Sequence, residues 1–342
     1  MSDTSLAAPH FAFDNLLPIA YDRSALSSDL RRGLAKGAGM KETQPLAFYA
    51  NQQGNDLYDQ ITINCPEYYP TRCERRIFTD HAAEFAAMTG ARSLIVLGAG
   101  TSAKTRVLLD AFGTQLEVYV PVDIAEDVLR TSATALAAEY PNLRIHALRT
   151  DYLTTLELPA DAPGPRALML PGGNLGNYHR GARARLLNIL AGAMQEGDTL
   201  TLGIDLVKDP ATLVAAYDDP AGLSAAFNLN ILRVYNELFG ADFDPSDFRH
   251  IAHWDRVEQR IEMRLQAVHR VTVAIPALGM SVEFEEGEHW RTEISQKWTP
   301  ASLGRELTAA GLRPKEWWTD DKGRYAVATA VPASRPATAG AH

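Results

Sequence analysis

Cysteine is scarce: Cys65 and Cys73 are the only two in 342 residues, and their spacing matches neither a zinc knuckle nor a disulfide framework. A reducing cytoplasm is therefore the expected location. No stretch approaches the ~18 consecutive apolar residues of a membrane span, and the start Met1-Ser2-Asp3-Thr4 lacks the positive charge and apolar run of a secretory leader. Positive charge is also in deficit. Against 42 Asp and Glu stand 33 Lys and Arg, and the formal charge of −9 gives no general attraction to phosphate backbones or anionic lipid. Neither nucleic acid nor membrane is an expected partner. His250 and His253 lack the glutamate of a zinc-binding helix motif, and no Gly-x-Ser-x-Gly elbow or Walker loop occurs, so no metal site is expected. Internal repeats are missing as well.

What remains is a globular composition, 46% hydrophobic and 22% charged, in a chain long enough for one large domain or two ordinary ones. From Ser93 onward short apolar runs alternate with helical patterns, which is how a parallel sheet covered on both faces reads. Strands are expected at Ser93 to Leu97, Glu117 to Val122, Arg144 to Leu148, Ala167 to Leu170 and Thr199 to Asp205, with helices between most of them. Parallel neighbours need crossover helices, so this alternation predicts an α/β fold with a doubly wound, mostly parallel sheet. After Asp205 the rhythm changes. Ala211 to Phe239 reads as two helices; Glu262 to Ile275, Ser281 to Glu285 and Trp290 to Lys297 read as longer antiparallel strands. A helix at Pro300 to Ala310 and strands near Lys315 to Thr319 and Tyr325 to Val331 complete the first sheet. The expected division is a Rossmann-like domain of residues 73–207 plus 298–342 and a second, α+β, substrate-binding domain of residues 1–72 plus 208–297.

In a doubly wound sheet the ligand lies beyond the carboxyl ends of the strands, where glycines let backbone approach it. Gly98 and Gly100 occupy that place. Asp123, ending the next strand, is placed to accept hydrogen bonds from a ribose diol; Asp151, after the third, to meet an adenine amino group, with Tyr152 on the ring. The run Gly98-Ala99-Gly100-Thr101-Ser102-Ala103 lacks the third glycine of the dinucleotide fingerprint. S-adenosylmethionine carries adenosine without a pyrophosphate and suits this variant better than a nicotinamide or flavin dinucleotide.

Five segments in order then resemble one family: Pro66-Glu67-Tyr68-Tyr69-Pro70-Thr71-Arg72, Leu97 to Thr105, Pro171-Gly172-Gly173-Asn174-Leu175-Gly176-Asn177, Ala216-Tyr217-Asp218-Asp219 and Glu293-Ile294-Ser295. They are similar to the histidine-specific, S-adenosylmethionine-dependent Nα-methyltransferases that make hercynine, the first intermediate of ergothioneine biosynthesis. The resemblance runs from about Phe48 to Ala330. It implies that Asn177 and Tyr217 hold the carboxylate of L-histidine, that Glu293 with Ser295 meets the imidazole, that Tyr68 is a second ring contact through water, and that Met263 is a pocket wall. Tyr49 falls by the amino group, which makes Tyr49 and Tyr68 the candidate catalytic groups, and Lys104 falls among the cofactor residues.

Read singly, Tyr68 is a turn residue, Glu293 an exposed strand carboxylate, Asn177 a helix cap and Met263 core filler. The family order is what assigns them roles. Two departures stand out: Val96 replaces the acidic residue the family carries before its glycine loop, and Ile63-Asn64-Cys65 differs from the family's shorter approach to Pro66. The implied activity is up to three methyl transfers from S-adenosylmethionine to histidine by a monomer, with S-adenosylhomocysteine as by-product. A methyltransferase of another amino acid such as tryptophan, a non-catalytic S-adenosylmethionine-binding protein and, more remotely, a dinucleotide-dependent oxidoreductase are the competing readings.

Overall fold

The computed structural model describes residues 10–18, 20–37, 41–100 and 105–333. The chain opens with a strand, β1 (Phe11–Asn15), and three helices, α1 (Tyr21–Leu34), α2 (Gln52–Asn64) and α3 (Pro70–Thr89). The alternation follows: β2 (Ser93–Leu97), α4 (Thr105–Phe112), β3 (Val118–Asp123), α5 (Glu126–Glu139), β4 (Arg144–Arg149), β5 (Arg166–Leu170), α6 (Arg180–Ala193) and β6 (Thr199–Asp205). Next come α7 (Pro210–Ala215), α8 (Leu223–Phe239), β7 (Phe248–Asp255), β8 (Arg260–Ala267), β9 (Val271–Ile275), β10 (Met280–Phe284) and β11 (His289–Gln296). The last elements are α9 (Pro300–Ala309), β12 (Leu312–Thr319) and β13 (Tyr325–Pro332).

The large sheet has the order β1-β4-β3-β2-β5-β6-β13-β12. It is parallel from β1 to β6, with β13 and β12 added antiparallel. Period-two alternation in β2 divides the core. Leu94 and Val96 pack toward α3, α4 and α5, whereas Ile95 and Leu97 pack toward α6 and α9. Strands buried on both faces read as continuous apolar runs, and that is why these five were legible.

Order along the sheet reverses between β2 and β5, and the loops after those strands therefore diverge and leave a crevice at their carboxyl ends. Buried Glu74 of α3 fixes one wall of it. The carboxylate accepts from the Gly172 N–H at 2.6 Å and from the Tyr325 hydroxyl at 2.9 Å. Gly203 makes room for that carboxylate, since a Cβ there would stand 1.9 Å from Glu74 Oε1.

A second lobe is built on β11-β8-β7, the β9–β10 hairpin, α1, α2 and α8. Its core gathers around Trp290, with ring centroids 5.7 Å from Phe243, 5.8 Å from Tyr235 and 6.0 Å from Phe284. The chain leaves the large sheet after Asp205 and returns at Trp298. Those two crossings are tied by Trp298 N–H to Asp205 O and Val207 N–H to Trp298 O, each 2.9 Å.

Three sequence expectations change. Residues 1–72 do not all join the second lobe, because β1 pairs in parallel with β4 at the edge of the large sheet. The run Glu262 to Ile275 is two strands, broken at Val268-His269-Arg270, where the chain turns into the hairpin. Strand β7 was not anticipated: its two histidines and mixed burial give no clean alternation.

Candidate active site

Gly98 and Gly100 follow β2 with φ of +65° and +50°. A Cβ on Gly98 would lie 3.0 Å from Asn174 Nδ2 and 3.6 Å from the Tyr152 hydroxyl, so this turn tolerates only a bare backbone. Asp123 reaches back into it: Oδ2 accepts from Gly100 N–H at 3.1 Å and Oδ1 from Ala125 N–H at 3.0 Å. Burial pushes its carboxyl up, against those backbone donors. Asp151 accepts from Leu153 N–H at 2.9 Å and from the hydroxyl of Tyr21 on α1, a partner sequence reasoning did not foresee. The Tyr152 hydroxyl meets that of Tyr178 at 3.4 Å. Four of the expected cofactor positions, Gly98, Gly100, Asp123 and Asp151, thus sit on the loops at the ends of β2, β3 and β4, with Tyr152 beside them. The cradle, an acceptor and an aromatic face suit an adenosine moiety. Lys104 lies outside the described residues.

Between the lobes is a cavity of about 50 Å³, partly open to solvent. Its lining contains Tyr49, Tyr68, Asn177, Tyr217, Met263, Glu293 and Ser295, every residue expected near the substrate. Asn174 lines it too and reaches the Gly98 turn, so cavity and glycine crevice adjoin. The elements explain the convergence. Tyr49 ends a 3-10 turn at Pro45–Tyr49, Tyr68 stands just before α3, Asn177 ends a 3-10 turn after β5, and Tyr217 follows α7. On β11, Glu293 and Ser295 are two residues apart and share a face, and Glu293 pairs across the ladder with Met263 of β8. Asn177 caps no helix, since His179 precedes α6.

Aromatic rings form one side of the cavity. Tyr49 stands edge-on to Tyr58 at 5.4 Å and to Phe227 at 5.8 Å, and Tyr68 edge-on to Tyr217 at 6.1 Å. Tyr49 lines the cavity and keeps 43% of its surface accessible. Burial first, then neighbouring Tyr58, holds the phenols of Tyr49 and Tyr68 protonated well above their ordinary range. As neutral phenols both can donate and accept hydrogen bonds. Tyr58 and Phe227 were missed from sequence, where an aromatic at helical spacing reads as core.

Glu293 has no hydrogen-bond or ion-pair partner among the described residues. Burial pushes its carboxyl up to about 7, against the opposing charge of Lys297. A desolvated carboxyl in a cavity, with nothing to pair it, marks a position that a ligand donor completes. Behind Ser295 lies a network that sequence reasoning also missed. Lys297, with no exposed surface, donates to Tyr217 Oη at 2.9 Å and Ser295 Oγ at 2.8 Å and pairs with Asp205 at 2.8 Å. Tyr217 and Ser295 touch each other at 2.7 Å. Among the described residues no group of three or more His, Cys, Asp or Glu is placed to hold a metal ion.

Comparison with known proteins agrees with this geometry. Residues 26–332 match the family described as histidine-specific methyltransferase, SAM-dependent. Over 310 residues the chain is 45% identical to a histidine N-alpha-methyltransferase of Mycobacterium tuberculosis (strain CDC 1551 / Oshkosh), covering 90% of this chain and 95% of that protein. It is 44% identical over 310 residues to the protein of the same name from Mycolicibacterium smegmatis (strain ATCC 700084 / mc(2)155), with the same coverage. Ergothioneine biosynthesis protein 1 of Neurospora crassa is 28% identical over 291 residues, 82% of this chain and 32% of that longer protein.

Proposed function

The chain belongs to the histidine-specific, S-adenosylmethionine-dependent methyltransferase family, and on that premise we propose that it methylates the α-amino group of L-histidine up to three times, ending at Nα,Nα,Nα-trimethylhistidine for ergothioneine synthesis. The observation that carries this reading is a single cavity lined by an unpaired carboxyl on β11, by hydroxyl and amide groups, and by Asn174, which also reaches the Gly98 turn.

When bound, S-adenosylmethionine supplies a methyl carbon on a sulfonium. Gly98, Gly100, Asp123, Asp151 and Tyr152 are the residues assigned to hold it. Asn177 and Tyr217 hold the histidine carboxylate, one through an amide N–H and one through a phenol O–H. Glu293 and Ser295 accept from the imidazole, with Tyr68 as the further ring contact and Met263 as the wall. Fixing both ends of a small zwitterion leaves its amino group little freedom, and orientation of this kind is worth up to about 7–11 kcal/mol of barrier in favourable systems. The incoming amine must be neutral. Tyr49 orients it as a hydrogen-bond partner, and the lost proton leaves through the solvent-open side of the cavity.

Each transfer removes an N–H donor and leaves a bulkier cation. Faces of Tyr49, Tyr58 and Phe227 accommodate that cation, with cation–π attraction of roughly 0.5–2 kcal/mol. We take the enzyme as a cytoplasmic monomer. Cys65 and Cys73 are both free, and no described helix is long and apolar enough to cross a membrane. The second lobe supplies most of the substrate contacts and the large sheet the cofactor contacts.

A tryptophan-like substrate is disfavoured by Glu293, because a pocket for the larger, more apolar indole is expected to be more apolar at that position. The test is a panel of free amino acids incubated with enzyme and S-adenosylmethionine and read by mass spectrometry. Histidine should gain one, two and three methyl groups and tryptophan none; an unmodified histidine, or a larger yield on another amino acid, overturns the reading.

A further inference from the structure

Lys297 is the one lysine among the described residues with no exposed surface. It stands at the neck where the chain passes between the lobes, one residue past the end of β11 and two beyond Ser295. An ammonium has three protons and no acceptor. All three are spent: on Asp205 Oδ2, on Tyr217 Oη and on Ser295 Oγ, at 2.8, 2.9 and 2.8 Å. Asp205 is braced from the other side, with Oδ1 accepting from Lys208 at 2.6 Å and the Tyr69 hydroxyl at 3.0 Å from both oxygens. Burial alone would push the Lys297 ammonium down, but Asp205 and the Tyr217 hydroxyl outweigh it, and the net direction is up.

Counting protons shows what this arrangement does. Tyr217 and Ser295 have two hydroxyl protons between them, and each already accepts from Lys297. Their 2.7 Å contact consumes one proton. The other has no acceptor among the described residues, and both side chains line the cavity. We infer that Lys297 is a positioning residue for the substrate: it fixes the Tyr217–Ser295 pair so that the pair turns one hydroxyl proton toward the carboxylate of histidine. This rests on the assignment of Tyr217 to that carboxylate.

A polarity follows. Since a carboxylate only accepts, Tyr217 gives it the remaining proton, Ser295 donates to Tyr217, and Ser295 is left facing the ring end as an acceptor. Glu293 and Ser295 then both present acceptors there, and a ring N–H is what the pair selects. Removing the ammonium frees both hydroxyls to rotate, and this polarity is lost.

The test compares Lys297→Met and Lys297→Gln with the wild type in steady-state kinetics for histidine and in calorimetric binding of S-adenosylhomocysteine. Lys297→Met should raise the histidine KM at least about 30-fold while S-adenosylhomocysteine binds within threefold of wild type. Lys297→Gln, which keeps an amide donor, should fall between the two. In the double variant with Tyr217→Phe the combined loss should fall at least fivefold short of the product of the single losses, since one residue acts through the other. Multiplying losses overturn the inference. So does a histidine KM within threefold of wild type in Lys297→Met, or loss of S-adenosylhomocysteine binding in both Lys297 variants, which assigns the lysine to folding. A wild type that leaves histidine unmodified brings down the substrate reading itself; an active wild type with an indifferent Lys297→Met brings down only this inference.

Discussion

Glu293→Ala lowers kcat/KM for histidine by about 300-fold and leaves the affinity for S-adenosylhomocysteine within threefold. A carboxylate accepting an imidazole N–H in a desolvated cavity contributes about 1.5–3 kcal/mol, and the abandoned ring donor costs about 1–3 kcal/mol more; each 1.4 kcal/mol is tenfold. Among the described residues, the cofactor loops lie on the other lobe and make no hydrogen bond or ion pair with this carboxyl. Equal losses in both measurements would remove Glu293 from the substrate site.

The same residue predicts a gain in stability. Its carboxyl titrates near 7 in the folded protein, above the ordinary 4.5, so between those values the native state binds more protons than the unfolded one. Stability from this group is complete below about pH 4.5 and is lost as the pH rises through 7. The isosteric Glu293→Gln removes the burden of ionising a carboxyl in the cavity, on the order of 2 kcal/mol after allowance for solvent access. Its melting temperature without ligand should exceed wild type by a few degrees at pH 8 and match it near pH 4.5. An unchanged difference between those two pH values would show that the carboxyl is not held in its neutral form. Function and stability pull in opposite directions at this position, as expected of a group prepared for a ligand.

Asp123→Asn should weaken S-adenosylhomocysteine by at least about 100-fold in calorimetry. Each carboxylate oxygen already accepts one backbone N–H, from Gly100 or Ala125, and keeps lone pairs for a ribose diol. Two charge-assisted bonds of about 1.5–3 kcal/mol are at stake. An asparagine must in addition turn its amide nitrogen toward one of those two backbone donors. Its effect on the histidine KM measured at saturating cofactor should be small. Undiminished S-adenosylhomocysteine affinity would place the ribose elsewhere.

The large sheet was legible because buried parallel strands read as apolar runs and each ends in a polar or glycine-rich loop: Gly98 after β2, Asp123 after β3, Asp151 after β4, Gly172 after β5. Strand β1 was not, since Phe-Ala-Phe-Asp-Asn is a half-exposed edge whose pairing with β4 spans more than a hundred residues. The cavity-lining residues were found from segments resembling a family, not from local pattern; Glu293 alone reads as a surface carboxylate. Lys297 had a usable signal. Glu293, Ser295 and Lys297 are spaced by two in sequence, and a lysine in register with the inward face of a strand, even just past its end, demands a buried partner. That partner, Asp205, ends a strand some ninety residues earlier, and only the neck between the lobes brings them together. Tyr58 and Phe227 carry no such mark, because a cavity wall and a core use the same residues.

The central claim is one of orientation: histidine lies with its ring at Glu293, its carboxylate at Asn177 and Tyr217, and its amine toward the cofactor crevice. Product formed with methyl-13C-labelled S-adenosylmethionine reports this directly by NMR. The account predicts a single trimethylammonium resonance coupled through bonds to the α-carbon. Label on an imidazole nitrogen would mean that the substrate binds the other way round, and would contradict it.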